Sequence, residues 1–160
     1  MSVKRILFVC TGNSCRSVMA EGLMRHRLAQ EGLEGIAVES AGVFAIDGML
    51  PTRETVRVLQ EAGVDCNSHR ARLLTPEMIR AADLILAMEP FQAEEICQRV
   101  PAAGRTVHLL KAYGLPEGAL GLHVGIPDPI GKPMEVYEVC FAEIREGVER
   151  VLRALQKDRG

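Results

Sequence analysis

A three-layer α/β architecture, with a four-stranded parallel sheet flanked by helices, is predicted by three features of the chain. Ile6 to Val9 and Leu84 to Met88 are unbroken apolar runs, as expected of strands buried on both faces of a parallel sheet. Segments with helical apolar spacing alternate with such strands along the sequence. At 160 residues, 48% hydrophobic and 25% charged, the chain has the length and composition of one globular domain spanning 1–160.

The elements follow in order. The first strand, Ile6 to Val9, runs into the polar loop Cys10-Thr11-Gly12-Asn13-Ser14-Cys15-Arg16-Ser17. Val18, Met19, Leu23, Met24 and Leu28 then recur at helical spacing, with Ser17 and Glu21 near the start, where a polar cap and negative charge suit exposed amides. Ala37 to Ala41 is a second strand. Thr52 to Ala62 carries Val56, Leu59 and Ala62 at helical spacing and stops at Gly63. Thr75 caps a short helix with Pro76 at its first position. Leu84 to Met88 is the third strand, Phe91 to Val100 a helix, Thr106 to Leu110 the fourth strand, and Met134 to Leu155 the long final helix. Met19, Met24 and Met78 are expected in the core. The Gly- and Pro-rich stretch Ala112 to Lys132 reads as a functional loop, because long loops in compact domains usually have a task.

Parallel strands with helical crossovers place ligands at the strand carboxyl ends, which is where Cys10 falls. Gly12 and Asn13 tolerate left-handed backbone angles, so the amides from Thr11 through Ser17 can converge on one point at a helix N-terminus. That geometry predicts a phosphate-binding loop after the first strand. A helix N-terminus and a nearby cation favour the thiolate of Cys10, its reactive form. Arg16 can meet two oxyanion atoms with its planar fork, and Ser17 can donate to the thiolate. The same cysteine-to-arginine spacing recurs from Cys66 to Arg72. There no strand precedes the cysteine, no glycine lies between, and Leu73 replaces the hydroxyl residue. In the Gly- and Pro-rich loop, Asp128 stands between Pro127 and Pro129, which stiffen the backbone and hold the carboxyl out on an arm. Taken by itself, Pro-Asp-Pro reads first as an ordinary surface turn.

Composition excludes several function classes. A net charge of −2 with no basic run gives no basis for a nucleic-acid partner. No apolar stretch approaches a membrane span, and the one behind Lys4-Arg5 is too short for a signal peptide, so no membrane partner is expected. Five cysteines, an odd number without a secreted pattern, suggest reduced thiols and a cytoplasmic setting. No His/Cys cluster has metal-ligand spacing, and neither metal nor cofactor is expected.

Val9-Cys10-Thr11-Gly12-Asn13-Ser14-Cys15-Arg16-Ser17 resembles the signature of the low-molecular-weight protein tyrosine phosphatases at every fixed position. Further similar blocks follow in order: Met19-Ala20-Glu21, Ser40-Ala41-Gly42, Ser68 to Arg72, Ala82 to Met88, and Asp128-Pro129. The resemblance implies hydrolysis of a phosphorylated protein or peptide side chain through a phosphocysteine intermediate, without a cofactor. It makes Cys10 the nucleophile, Arg16 the phosphate ligand and Asp128 the proton donor. Asn13, Ser17, Ser40 and His69 become the residues that hold the loop in shape, with His69 as a neutral imidazole. The family often has aspartate where this chain has Glu89, which puts that arm of the network in question.

Cys-Thr-Gly-Asn, Ser-Ala-Gly-Val-Phe-Ala and Asp-Pro followed by Ile130 and Gly131 look closest to the bacterial branch acting on phosphoarginine. Tyrosine-directed relatives carry a bulky aliphatic residue at the position of Ser14 and an aromatic pair after Asp-Pro. With 4% aromatic residues the chain offers few rings to stack on phosphotyrosine, although Phe44 or Tyr137 could reach the cleft. Ser14, Phe44 and Ile130 are therefore the expected specificity residues, and the balance favours phosphoarginine over phosphotyrosine. Cys10 and Cys15 lie close enough in the loop for a reversible disulfide under oxidation. Two other classes compete. An arsenate reductase of related type would need two further resolving cysteines after the third strand, where only Cys97 occurs. A non-catalytic phosphate-binding module would have no use for both Cys10 and Asp128.

Overall fold

The structure, a computed structural model, describes residues 2–160. Strands β1 (Arg5–Cys10), β2 (Ala37–Gly42), β3 (Leu84–Ala87) and β4 (Val107–Leu109) form one parallel sheet in the order β2-β1-β3-β4. The crossovers run through α1 (Arg16–Gln30), α2 (Arg53–Glu61), α3 (Pro76–Ala81) and α4 (Pro90–Arg99), and α5 (Met134–Arg159) closes the chain.

Strand alternation in β1 builds the three layers. Ile6, Phe8 and Cys10 join the apolar cluster with Met19, Leu23, Leu59, Ile144 and Val148, on the side of α1, α2 and α5. Leu7 and Val9 join Ile79, Ile85 and Ile96 on the side of α3 and α4. A central strand buried on both faces must be apolar at every position, which is why this sequence run has no alternation. Truncating a fully buried ring such as Phe8 to alanine costs about 3–5 kcal/mol. Met19 and Met24 are buried and Met78 partly so.

Three expectations need correction. Ser17 does not cap α1: the helix starts at Arg16, Cys15 stands at the cap position without a side-chain cap bond, and the first turn has no acidic residue. The Ser17 hydroxyl is turned toward Cys10 instead. The fourth strand is shorter than Thr106 to Leu110, because it is an edge that pairs only with the four-residue β3. The final helix continues past Leu155 to Arg159; its apolar period ends at Leu155, but Gln156, Lys157 and Arg159 are good helix formers on an exposed last turn. Thr75 does cap α3, accepting from the Met78 N–H at 3.2 Å with Pro76 following. No helix among the described residues is long and apolar enough to cross a membrane.

Candidate active site

Cys10 ends β1 opposite Gly42, the last residue of β2. The chain after Gly42 clasps the start of the loop: the Val43 N–H donates to the Cys10 carbonyl and the Phe44 N–H to the Thr11 carbonyl, both at 3.0 Å. Gly42 is required for this approach, since a Cβ there would lie 2.4 Å from the Thr11 carbonyl oxygen and 2.9 Å from the Asn13 nitrogen. Asn13 turns the loop with φ at +55°, the one non-glycine residue in the left-handed region among those described. That turn aims its N–H at Cys10 Sγ, 3.3 Å away.

Every polar atom of Asn13 is engaged. Its carbonyl accepts from His69 Nε2 at 3.0 Å, so that nitrogen carries the proton. Its Oδ1 accepts from the Arg72 N–H at 2.9 Å, which leaves Nδ2 to donate to Ser17 Oγ at 2.7 Å and Ser40 Oγ at 2.9 Å. The Ser40 hydroxyl in turn donates a hydrogen bond to the Glu21 carboxylate, whose oxygen accepts it. Glu21 is paired in turn with Arg25. Ser17 already accepts from Asn13, so its hydroxyl hydrogen is free for Cys10 Sγ at 2.9 Å. The loop therefore points two donors, the Asn13 amide and the Ser17 hydroxyl, at the sulfur. A cavity of about 640 Å³ lies behind this network, lined by Glu21, Arg25, Ser40, His69 and Arg72, and it does not open onto Cys10.

Arg16, almost wholly buried, lies across the loop from Cys10. Its Nη1 donates to Glu89 Oε2 and to the Ile126 carbonyl, both at 2.7 Å, and its Nη2 lies 3.5 Å from Asp128 Oδ2. Burial alone would lower its pKa; the Cys10 thiolate, Glu89 and Asp128 together outweigh that and raise it. Glu89 thus keeps the arm that its substitution for aspartate put in question, since the longer side chain still reaches the guanidinium. Sequence reading missed Gln92. Buried at the start of α4, it accepts from the Met88 and Glu89 N–H groups at 2.9 Å and donates to Thr11 Oγ1 at 3.1 Å. Its signal was present: Glu89-Pro90-Phe91-Gln92 has the spacing of a helix-capping pair with proline at the first position.

The remaining candidates lie beneath the loop or at its rim. Cys15 is buried, with its sulfur 3.5 Å from Thr52 Oγ1, 3.6 Å from the Tyr137 hydroxyl and 3.8 Å from Ser14 Oγ. Tyr137 does not reach an open cleft; it is packed under the loop, and burial pushes its phenol well above the ordinary pKa. Ser14 is half-buried and its carbonyl accepts from the Thr52 N–H at 3.2 Å. Phe44 and Ile130 are 63% and 54% exposed. The decoy Cys66 is buried, which together with Asp65 pushes its thiol pKa up. No group of three His, Cys, Asp or Glu residues among those described could hold a metal ion.

A cysteine in an amide-lined loop at the carboxyl end of a central parallel strand, with a buried arginine closing it, defines a class of cysteine-dependent phosphatases. The family model for low molecular weight phosphotyrosine protein phosphatase matches residues 5–160. The protein-arginine-phosphatase of Geobacillus stearothermophilus is 37% identical over 154 residues, 96% of this chain and 97% of that one. A probable low molecular weight protein-tyrosine-phosphatase EpsP of Ralstonia nicotianae is 37% identical over 147 residues, 92% of each chain. A solved structure of a cysteine-to-serine mutant of the YwlE arginine phosphatase, with a phosphorylated active site serine, is 35% identical, covers 97% of each chain and gives a TM-score of 0.87. This chain belongs to the low molecular weight phosphotyrosine protein phosphatase family, and it is a hydrolase.

Proposed function

We propose that Cys10, Arg16 and Asp128 carry phosphoryl transfer from a phosphorylated protein side chain to water, with phosphoarginine preferred over phosphotyrosine. The observation that carries this reading is the buried Arg16, whose Nη1 is fixed by Glu89 and Ile126 while Nη2 faces Asp128. The guanidinium binds the phosphoryl oxygens and keeps nucleophile and proton donor on one side of the molecule. The Cys10 thiolate attacks phosphorus, the bond to the leaving group breaks, and Asp128 gives that group its proton. Water then attacks the phosphocysteine, the Asp128 carboxylate takes the proton, and Cys10 leaves as a thiolate steadied by the Asn13 N–H and Ser17 O–H.

Three features support phosphoarginine. The arginine-directed relative matches over nearly its whole length. Ser14 offers a small hydroxyl where a guanidinium could hydrogen-bond. Tyr137, one of the chain's few aromatic rings, is buried away from the surface and is not available to stack on a phenol. The arsenate reductase alternative loses further ground because Cys97, the one cysteine after β3 in that region, sits within α4. The odd cysteine count favours a cytoplasmic setting. Under peroxide, a sulfenic acid on Cys10 would condense with the Cys15 thiol and release water, giving a disulfide that thiols reverse.

The deciding experiment is side-by-side kinetics on phosphoarginine and phosphotyrosine peptides with wild type and Ser14→Ile. The expected result is a higher kcat/KM on phosphoarginine that falls in the variant while the phosphotyrosine rate holds or rises. Equal change on both substrates would remove Ser14 from specificity and the preference with it.

A further inference from the structure

From the surface beside the loop we infer a second recognition site, one that binds acidic residues flanking the phosphorylated side chain of the substrate. It is a groove of about 590 Å³ formed where α2 faces the loop before α3, with Leu50, Pro51 and Val56 as its apolar floor. Arg53, Arg57 and Gln60 line one wall and Asn67 and Arg70 the other. Arg53, Arg57 and Gln60 are spaced by four and three residues, so they share one helix face. All three arginines are exposed. The acidic residues of α2 do not cancel them fully: Glu61 pairs with Arg57 at 3.3 Å, whereas Glu54 acts on Tyr137 on the α5 side of the helix. No carboxylate lines the groove.

Position ties this groove to the chemistry. Thr52, the cap of α2, donates its N–H to the Ser14 carbonyl at 3.2 Å and lies 3.5 Å from Cys15 Sγ, so the groove begins where the phosphate-binding loop ends. A side chain bound at Cys10 leaves its own backbone near the rim. The neighbouring residues of that chain then meet Leu50, which is 60% exposed, and beyond it the arginines. An apolar floor with three cations, of which Arg57 is shared with Glu61, and no carboxylate in the lining fits a short acidic segment containing an apolar residue. A net charge of −2 and the concave shape favour such a peptide over a flat anionic membrane or nucleic acid. The site rests on the phosphatase reading above, because its ligand is that reading's substrate.

The test measures kcat/KM on three phosphopeptides identical except for flanking Glu, Gln or Lys pairs, with p-nitrophenyl phosphate as a substrate that has no flank. Wild type should prefer the Glu peptide over the Gln peptide by about three- to ten-fold, as two exposed ion pairs allow, and raising the salt from about 0.05 to 0.5 M should shrink that ratio. The double variant Arg53→Glu with Arg57→Glu should reverse the order of the Glu and Lys peptides and leave p-nitrophenyl phosphate turnover unchanged. Arg80→Glu, an equal kind of charge reversal on α3, should leave the order intact. No flank preference in wild type, a preference that survives the double variant, or equal loss in Arg80→Glu would overturn the site. So would arginine-dependent binding to anionic vesicles without peptide discrimination. Failure of wild type on p-nitrophenyl phosphate would instead sink the underlying reaction.

Discussion

Cys10 and Asp128 both act on the Arg16 guanidinium, and they are held by opposite means. Around Cys10 the backbone is clasped by Val43 and Phe44, Asn13 spends every polar atom on a partner, and Ser17, Ser40 and Gln92 are all buried. Asp128 stands on a segment without helix or strand from residue 110 to 133, exposed, and tied by few contacts. The Ile126 N–H donates to the Met88 carbonyl at 2.8 Å, Arg16 holds the Ile126 carbonyl, and Asp128 Oδ1 accepts from the Ile130 N–H at 3.1 Å. The difference matches the two tasks proposed for them. An oxyanion site gains from donors fixed before the substrate arrives, since nothing is then spent on reorienting them. A group that must give a proton to one molecule and take one from another needs reach and contact with water.

The contrast can be broken most severely at the sulfur. Cys10→Ser should reduce turnover on the order of 10⁴-fold or more while vanadate still binds, because the amides and Arg16 remain. A serine variant with substantial turnover would deny Cys10 the nucleophile's role. Asp128→Asn should cost about 10²- to 10⁴-fold, with the smallest loss on leaving groups that need no proton. Its thermal stability should stay within about 0.5 kcal/mol of wild type, as for a surface change. An Asp128→Asn protein with a uniform rate loss and a large drop in Tm would show that the arm is structural after all.

Asn13→Ala should behave in the reverse manner. It places a Cβ-bearing residue without a helpful side chain at positive φ and strands the Ser17, Ser40 and Arg72 partners, at a cost of about 3 kcal/mol measured by denaturant unfolding. A stability loss below about 1 kcal/mol would mean that the loop is not the rigid half of the pair.

The smallest expected effect is on alkaline stability, and it concerns the floor under both regions. Cys140 on α5 is buried, and burial, with Glu143, Cys15 and Asp128 adding and Arg16 opposing, leaves its thiol pushed up to about 12. The folded state therefore holds this proton more tightly than the unfolded chain, whose cysteine titrates near ~8.5. Its stabilising share is intact below that pH and declines as pH rises toward about 12, by at most ~1.4 kcal/mol per pH unit. Cys140→Ala should flatten the fall in unfolding free energy between pH 8.5 and 10.5. An unchanged slope would place the alkaline sensitivity elsewhere.

Legibility in the sequence followed the same division. The strand before Cys10, the glycine and asparagine within the loop, Arg16 and the cap at Thr75 are local signals, because each rests on the backbone needs of neighbouring residues. Asp128 was visible as a stiffened carboxylate, yet its approach to Arg16 spans more than a hundred residues and only the family likeness suggested it. Gln92 and Glu89 went underrated because their contacts with Thr11 and Arg16 form across the sheet. Ser17 was read both as a cap and as a donor to the thiolate, and only the second reading holds. A hydroxyl at a helix start has two uses, and the nearby sulfur settles which one wins. The burial of Tyr137 under Cys15 depends on where α5 docks, and no local pattern encodes that.

The network that spreads from Asn13 Nδ2, through Ser40 to Glu21 and through Ser17 to the sulfur, has one allowed direction in each arm, because the amide nitrogen only donates and both hydroxyls must pass the donation outward. Its members are consequently not independent letters. Replacing one by a residue of opposite hydrogen-bonding sense leaves two donors or two acceptors facing each other somewhere within the network. Single changes should each be harmful, and their costs should not add when combined. Over evolutionary time these four positions are free to drift only as a set.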